Sequence, residues 1–570
     1  MLDPILMEVF WNRLTSIVQE SAVALMRASF SSVLSEAGDI SFGIFDPEGN
    51  MMAQAEIGTP GHIYSIARGV KQFLKKFPAD ALEPGDSLIG NDPWLFSGHK
   101  IDLTVATPIF SDGKLVSFFA STCHVMDVGG RGWSADSTDL FEEGLEIPLM
   151  KIYKRGEPNQ ELFEIIADNV REPDSVIGDI RAQVSANEIA GEMIREFMRV
   201  YRLESLMPLS RAILGKSEER MRQAIMDIPN GSYSGEASLD GFEEILKIAV
   251  QVTIEDDGIL VDFSGTSPQI GRALNSTYQW TCGYTVYPLK CMICPDVPNN
   301  EGTLRPIRIT APEGCILNAR RPAPVGARQI TGMFISPPLL QALSKVIPDR
   351  VIADSGVHSA IQFRGTSGNG DPWSYVFFST AGMGARPTQD GFSTVGYPVN
   401  ISNTPLEIIE VDSPLFFLER SMVCDSGGAG KFRGGVGQRQ RIKLAGEGSW
   451  EYAPMIDRVR VPAKGFFGGL SGSPADVVVN DEHRPHPKTK INLEKDDVLT
   501  IQLAGGGGFY SPFERDPELV LSDVLNGHIS SEAARIEYGV ALDSNGKEVD
   551  MKLTNQIRSD SLVSKADSPD

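Results

Sequence analysis

The segment His99-Lys-Ile-Asp102-Leu-Thr-Val-Ala-Thr-Pro-Ile-Phe-Ser-Asp112-Gly113-Lys-Leu-Val-Ser-Phe-Phe-Ala-Ser-Thr-Cys-His124 decides how this chain is read. Asp102–Thr107 and Leu115–Thr122 are β-branched and aromatic runs of strand length. Asp112-Gly113 between them predicts a hairpin, because glycine tolerates the positive φ of a tight turn. With a two-residue loop Ser111 faces Lys114 and Asp102 faces Cys123; a three-residue loop, or one bulge, moves Asp102 onto His124. Cross-strand Cβ atoms lie within about 5.5 Å, close enough for two side chains to share an ion. His99 precedes Asp102 by three residues, so on a straight strand it would face away. Ser97-Gly98 predicts instead that His99 still lies in a turn and folds back. Two imidazoles and a carboxylate suit zinc, manganese or iron, which makes His99, Asp102 and His124 candidate ligands of a divalent metal. Core histidines bonded to the backbone are the plain alternative.

Composition narrows the class. A chain of 570 residues predicts two to four domains, and 41% hydrophobic with 22% charged residues is the balance of a soluble globular protein. A net charge of −23 argues against nucleic acid as partner. No apolar run approaches the roughly 20 residues that cross a bilayer, and Met1-Leu-Asp-Pro lacks a basic leader, so no membrane is expected and the cytoplasm is the expected compartment. Six scattered cysteines predict buried thiols; Cys291-Met-Ile-Cys294 has metal or redox spacing without a second pair.

Along the chain, Asp3-Pro4 predicts an N-cap and first helical residue, with Leu6, Val9, Phe10, Leu14, Ile17, Val18, Leu25 and Met26 as a core stripe. Strands are expected at Ile40–Phe45 and Met51–Gln54 around the Asp46–Asn50 turn, then a helix near Ile63–Phe77 ended by Pro78. From Pro158 to about Met226 the pattern is helical. Strand signals dominate from Ser232, at Ile248–Ile254, Ile259–Phe263, Ser374–Phe378 and Val498–Leu503, with helices near Pro337–Val346 and Pro517–Tyr538. The expected class is α+β: a mixed helical and sheet N-terminal region carrying the metal hairpin, then a β-rich C-terminal region. Expected domains are 1–230 with the metal site, 231–415 mixed and β-rich, 416–515 β, and 516–570 a C-terminal helix and frayed tail.

Further positions carry chemistry or mimic it. Asp39, at a strand mouth, either completes a metal shell or caps a turn. His62, just before a helix, either contacts substrate or bonds the backbone. Asp127, with Val-Gly-Gly after it, offers a carboxylate that orients a ligand or accepts a proton. Asp425-Ser-Gly-Gly-Ala-Gly430-Lys431 imitates a phosphate-binding loop, but Phe432 stands where Ser or Thr would hold magnesium. Ala504-Gly-Gly-Gly-Gly508 reads as a turn. No dinucleotide fingerprint or nucleophile elbow is present, so no nucleotide module is expected.

Taken in order, Asn91-Asp-Pro-Trp, Gly98-His99, Asp102-Leu-Thr, His124-Val-Met-Asp127-Val-Gly-Gly and Leu140-Phe-Glu-Glu-Gly-Leu-Glu-Ile-Pro148 resemble blocks of the hydantoinase B/5-oxoprolinase family. So do Gly178-Asp-Ile-Arg-Ala-Gln183, Asp262-Phe-Ser-Gly-Thr-Ser-Pro-Gln269, Gly384-Ala-Arg-Pro387, Arg433-Gly-Gly and Glu514-Arg-Asp-Pro517. The resemblance spans nearly the full length. It implies a subunit that works with a hydantoinase A-type ATPase, which binds ATP and phosphorylates the substrate carbonyl oxygen, in a hetero-oligomer that opens a hydantoin, 5-oxoproline or lactam ring. Related ketone carboxylases use similar subunits, and His99, Asp102, His124 and Asp39 fall on or near the metal positions of the acetone branch. One place departs: many hydrolase members carry a second histidine where Val125 stands, which leaves a ketone carboxylase subunit as the alternative. On the hydrolase reading the metal brings the pKa of a water towards about 7. Oxygen consumption would mark an iron oxygenase instead, and full turnover without His99 and His124 a non-enzymatic scaffold.

Overall fold

The computed structural model describes residues 3–566. Its helices are α1 Pro4–Ala28, α2 Ser32–Ser35, α3 Pro60–Lys76, α4 Gln160–Asn169, α5 Pro173–Tyr201, α6 Met207–Met226 and α7 Tyr278–Ile293. α8 Glu301–Leu304, α9 Arg328–Met333, α10 Ser336–Leu343, α11 Leu406–Asp412, α12 Pro517–Leu525, α13 Ser531–Ile536 and α14 Met551–Ala566 follow. The first seven strands, β1 Ile40–Phe45, β2 Met51–Gln54, β3 Ser87–Gly90, β4 Asp102–Ser111, β5 Lys114–His124, β6 Met150–Lys154 and β7 Glu157–Pro158, form one sheet in the order β2-β1-β5-β4-β3-β6-β7. Helices and largely antiparallel sheets in this mixture are the expected α+β class.

Three four-stranded sheets complete the chain. β8 Gly231–Asp240, β9 Ile245–Glu255, β10 Gly258–Asp262 and β11 Ile307–Thr310 make the second. β12 Ser359–Ser367 and β13 Pro372–Ser379 join β16 Gly448–Met455 and β18 Ile491–Leu493 in the third. β14 Leu415–Met422, β15 Gln438–Leu444, β17 Asp476–Val479 and β19 Leu499–Gln502 make the fourth. One continuous apolar cluster extends from Met7 to Phe509, and a smaller one lies under α3 around Phe45, Phe73, Phe96 and Phe118. The first sheet is therefore covered on both faces, which is why every residue of β1 is buried.

The hairpin follows the bulged alternative. Ser111 faces Lys114 across Asp112 (φ 48°) and Gly113 (φ 73°), so the loop has two residues, and a register shift between Ile109 and Phe110 brings Asp102 opposite His124. His99 lies outside the strand, as Ser97-Gly98 predicted.

Several expectations need correction. Leu6 and Val9 are exposed, so the buried stripe of α1 starts at Met7 and Phe10. α3 begins at Pro60, which puts His62 inside its first turn and not before it. The helix expected near Pro517–Tyr538 is two, α12 and α13. The expected frayed tail is helical in α14 through Ala566, and its last residues lie outside the described ones. α7 had no sequence signal: aromatic, β-branched, Gly and Pro residues fill it, and burial on nearly every side removes the polar stripe that marks an amphipathic helix.

α3 crosses α7 at two glycines. A Cβ at Gly283 would lie 2.9 Å from the Gly61 carbonyl oxygen, and one at Gly61 would overlap Trp280 and Tyr284. Gly283→Ala should cost about 1–3 kcal/mol by overpacking and draw His62 off its partners, read as a lower thermal unfolding midpoint.

Candidate metal centre

Asp102 is the hub. The β4–β5 register delivers His124 to it, with Nδ1 3.0 Å from Asp102 Oδ1. The turn before β4 delivers His99, with Nε2 2.7 Å from the same oxygen. The first turn of α3 delivers His62, whose Nε2 is 2.8 Å from Oδ2. Arg328, at the start of α9, donates from Nη2 to Oδ2 at 2.6 Å and lies 2.8 Å from His99 Nε2. All five side chains are at most 3% exposed.

The donor set fits one divalent ion. His99, Asp102 and His124 each offer a ligand atom, all within 4.8 Å of one another. His99 Nδ1 pairs with the Gly326 carbonyl at 3.1 Å, which requires the proton on Nδ1 and leaves the Nε2 lone pair facing Asp102. His124 Nε2 and His62 Nδ1 are buried without a hydrogen-bond partner. Arg328 shares His99 Nε2, so an ion on that nitrogen requires the guanidinium to give up this contact while keeping Asp102 Oδ2.

Charge is balanced tightly. Burial alone would raise the Asp102 pKa, but the imidazoles of His99 and His62 and the Arg328 guanidinium outweigh it and hold the carboxyl well below its ordinary range. Burial, with Arg328 adding to it, pushes His99 down to about 3 against the opposing pull of Asp102. His358, across Phe378 from His124, is also pushed to about 3 by burial.

The other expected positions fall around this hub. Asp39 Oδ2 is 3.8 Å from His124 Nδ1, and its Oδ1 accepts from the Thr59 hydroxyl at 2.8 Å. Asp127 accepts from the Arg171 backbone and guanidinium at 2.6 and 2.7 Å, and lines a small cavity with His99 and Trp133. Val125 is buried in the core. Arg328, Trp133 and Trp280 escaped the sequence reading: an arginine within Pro324-Val-Gly-Ala-Arg328 has no acid at helical spacing to mark it. Among the described residues no helix is long and apolar enough to cross a membrane.

Such a donor set, buried at the mouth of an antiparallel hairpin, has the composition of a mononuclear two-histidine, one-carboxylate site. The chain is a member of the family described as hydantoinase B/oxoprolinase, which matches residues 3–512. It is similar to a protein of Pseudomonas sp. (strain NS671) named for the B component of a D-/L-hydantoinase, 31% identical over 585 residues and covering 98% of each chain. The crystal structure of ATP-dependent caprolactamase from Pseudomonas jessenii has TM-score 0.90 at 26% identity, over 98% of this chain and 100% of that one. A nucleotide-free acetone carboxylase structure has the same fold, with TM-score 0.90 at 18% identity, over 100% of this chain and 84% of that one.

Because the folded-state pKa of His99 and His358 lies below the ordinary 6.5, the unfolded chain takes up protons below that pH while the folded chain does not. Stability should be fully present above about pH 6.5 and fall on acidification, by up to roughly 1.4 kcal/mol per pH unit per histidine. Thermal unfolding of chelator-treated protein from pH 7 to 5 should show the fall, and His358→Gln should flatten it.

Proposed function

We propose that this chain is the metal-containing subunit of an ATP-dependent cyclic amidohydrolase, opening a hydantoin, 5-oxoproline or lactam ring together with an ATPase subunit in the cytoplasm. The observation that carries the reading is the convergence of His99 Nε2 and His124 Nδ1 on Asp102 Oδ1 in a chain that aligns end to end with a hydantoinase component and shares the fold of an ATP-dependent caprolactamase. Zinc, manganese or iron is held by His99, Asp102 and His124, with Asp39 alongside. When bound, the ion supplies Lewis acidity and makes water nucleophilic near neutral pH.

The protein's own groups do the rest. Amides are weak electrophiles, so activation of the carbonyl oxygen by ATP on the partner precedes water addition and C–N cleavage. His62 donates from Nε2 to Asp102, which fixes its tautomer and leaves Nδ1 as the base that accepts a proton from water. Arg328 offsets the Asp102 charge. Asp127, tied to Arg171, orients the turn leaving β5. A ketone carboxylase subunit is the second reading, favoured by the shared fold with acetone carboxylase and by Val125 in place of a histidine.

Co-expression with the ATPase subunit and a panel of hydantoin, 5-oxoproline, caprolactam and acetone, with and without ATP and bicarbonate, tests both. Ring opening that needs ATP and not bicarbonate is expected; turnover only with bicarbonate and a ketone rejects the hydrolase. Alone, this chain should show negligible ATPase activity. His99→Ala and His124→Ala should lose bound metal and at least about 100-fold in kcat. His62→Gln should keep the metal while kcat falls roughly 10²- to 10⁴-fold.

A further inference from the structure

Beside His99 lies a small cavity of about 20 Å³, with His99, Asp127, Trp133, Ser134, Glu143 and Gly326 among the residues that line it. That is room for about one water.

Glu143 is the unusual wall. It ends the 3-10 turn Leu140–Glu143, and its side chain is buried. One carboxylate oxygen, Oε1, accepts from the backbone N–H groups of both Val325 and Gly326 at 2.7 Å. The other, Oε2, is buried with no hydrogen-bond partner. Gly326 is gripped on its other side too: its carbonyl, which belongs to the next peptide unit, accepts from His99 Nδ1 at 3.1 Å and from the Trp133 indole at 2.7 Å. The fit is close, since a Cβ at Gly326 would lie 3.2 Å from Glu143 Oε1.

We propose that Glu143 is a positioning residue for the metal centre: by gripping the Val325 and Gly326 amides it fixes the place of Gly326, whose carbonyl holds His99 with Nε2 turned toward Asp102. This rests on the metal reading given under Proposed function. The chain of contacts has a clear direction. If Gly326 shifts, its carbonyl leaves Nδ1, the imidazole loses the bond that selects its tautomer, and the proton is free to move to the nitrogen that must stay bare for a ligand bond. Two amide donors on one oxygen, at a fixed reach, hold the backbone up to the Gly326 Cα from which that carbonyl projects, while the Ala327 N–H on the Ala273 carbonyl at 2.9 Å holds the plane of the carbonyl's own peptide. Burial pushes the Glu143 pKa up to about 8, so near neutral pH the group is predominantly a neutral acid, of which glutamine is a close isostere.

Geometry and charge make opposite forecasts, and two substitutions separate them. Full-length wild type, Glu143→Gln and Glu143→Asp are titrated with Zn²⁺ against a competing chelator, with Co²⁺ absorption reporting ligand geometry and unfolding of the metal-free form reporting the fold. Positioning predicts that Glu143→Gln binds within about threefold of wild type, while Glu143→Asp, too short to reach both amides, binds about 10- to 100-fold more weakly with an altered Co²⁺ spectrum. Glu143→Met, of the same length but without the acceptor, should lose as much and stands in if the aspartate variant does not fold. Wild-type affinity in Glu143→Asp or Glu143→Met, or a loss in Glu143→Gln that Glu143→Asp escapes, overturns the proposal. Failure of wild type itself to bind Zn²⁺ rejects the metal reading, a result legible from that arm alone.

Discussion

Asp102 sets the terms for the whole molecule. A carboxylate with no solvent exposure costs several kcal/mol to desolvate, and only well-placed donors and charges offset that. Its partners are His62 from α3, His99 from the turn before β4, His124 from the end of β5 and Arg328 from the start of α9. No two come from the same element. The first sheet, the helix across it and a segment far downstream must therefore be in place together before the charge is satisfied.

Arg328 reaches that position through a line of supports. Its guanidinium lies 3.3 Å from the centroid of the Trp280 ring, and its Nε donates to the Ser97 carbonyl at 2.8 Å, just before His99. Trp280 fits because glycines stand where it passes: side chains at Gly61 or Gly332 would collide with the indole. Gly61 also adjoins His62. The same small residue thus lets α7 approach α3, seats the aromatic platform under the arginine and leaves the neighbouring imidazole free to meet Asp102. Packing and electrostatics are one problem here, because displacing Trp280 would withdraw the cation that the buried carboxylate requires.

What the sequence revealed and what it hid follow from range. β1, β2 and the hairpin were legible because their signals are local: β-branched runs, an Asp-Gly turn and a countable register. The bulge could be named as an alternative but not chosen, since it depends on packing against other strands. His99, Asp102 and His124 stood out by residue type and spacing alone. Arg328 did not, because 226 residues separate it from Asp102 and no periodicity spans that gap. α7 stayed hidden for the opposite reason: buried on nearly all sides, it carries no contrast between faces. The tail misled because a polar helix resembles a polar coil, and α14 is held by contacts such as Arg558 on the Tyr538 and Arg515 carbonyls.

The glycine-rich segments show how far a local motif can mislead without its partners. An anion cradle needs backbone N–H groups that face outward and are free. Here Gly428 donates to the Gly506 carbonyl, Gly506 to Gly435, Gly507 to Asp354 and Gly508 to Leu470, all at 2.8–2.9 Å. Asp425–Gly430 and Ala504–Gly508 are therefore pressed against each other, and side chains at Gly428, Gly505 or Gly508 would overlap backbone atoms of the facing segment. These glycines are a close-packed seam inside the C-terminal region, with their donors committed to carbonyls of this same chain. A nucleotide's phosphates would have to break that seam to be held there, at a cost of several buried hydrogen bonds. Neither glycine segment therefore offers a free cradle of amides, and the polar chemistry this chain gathers in its interior is that of the imidazoles around Asp102.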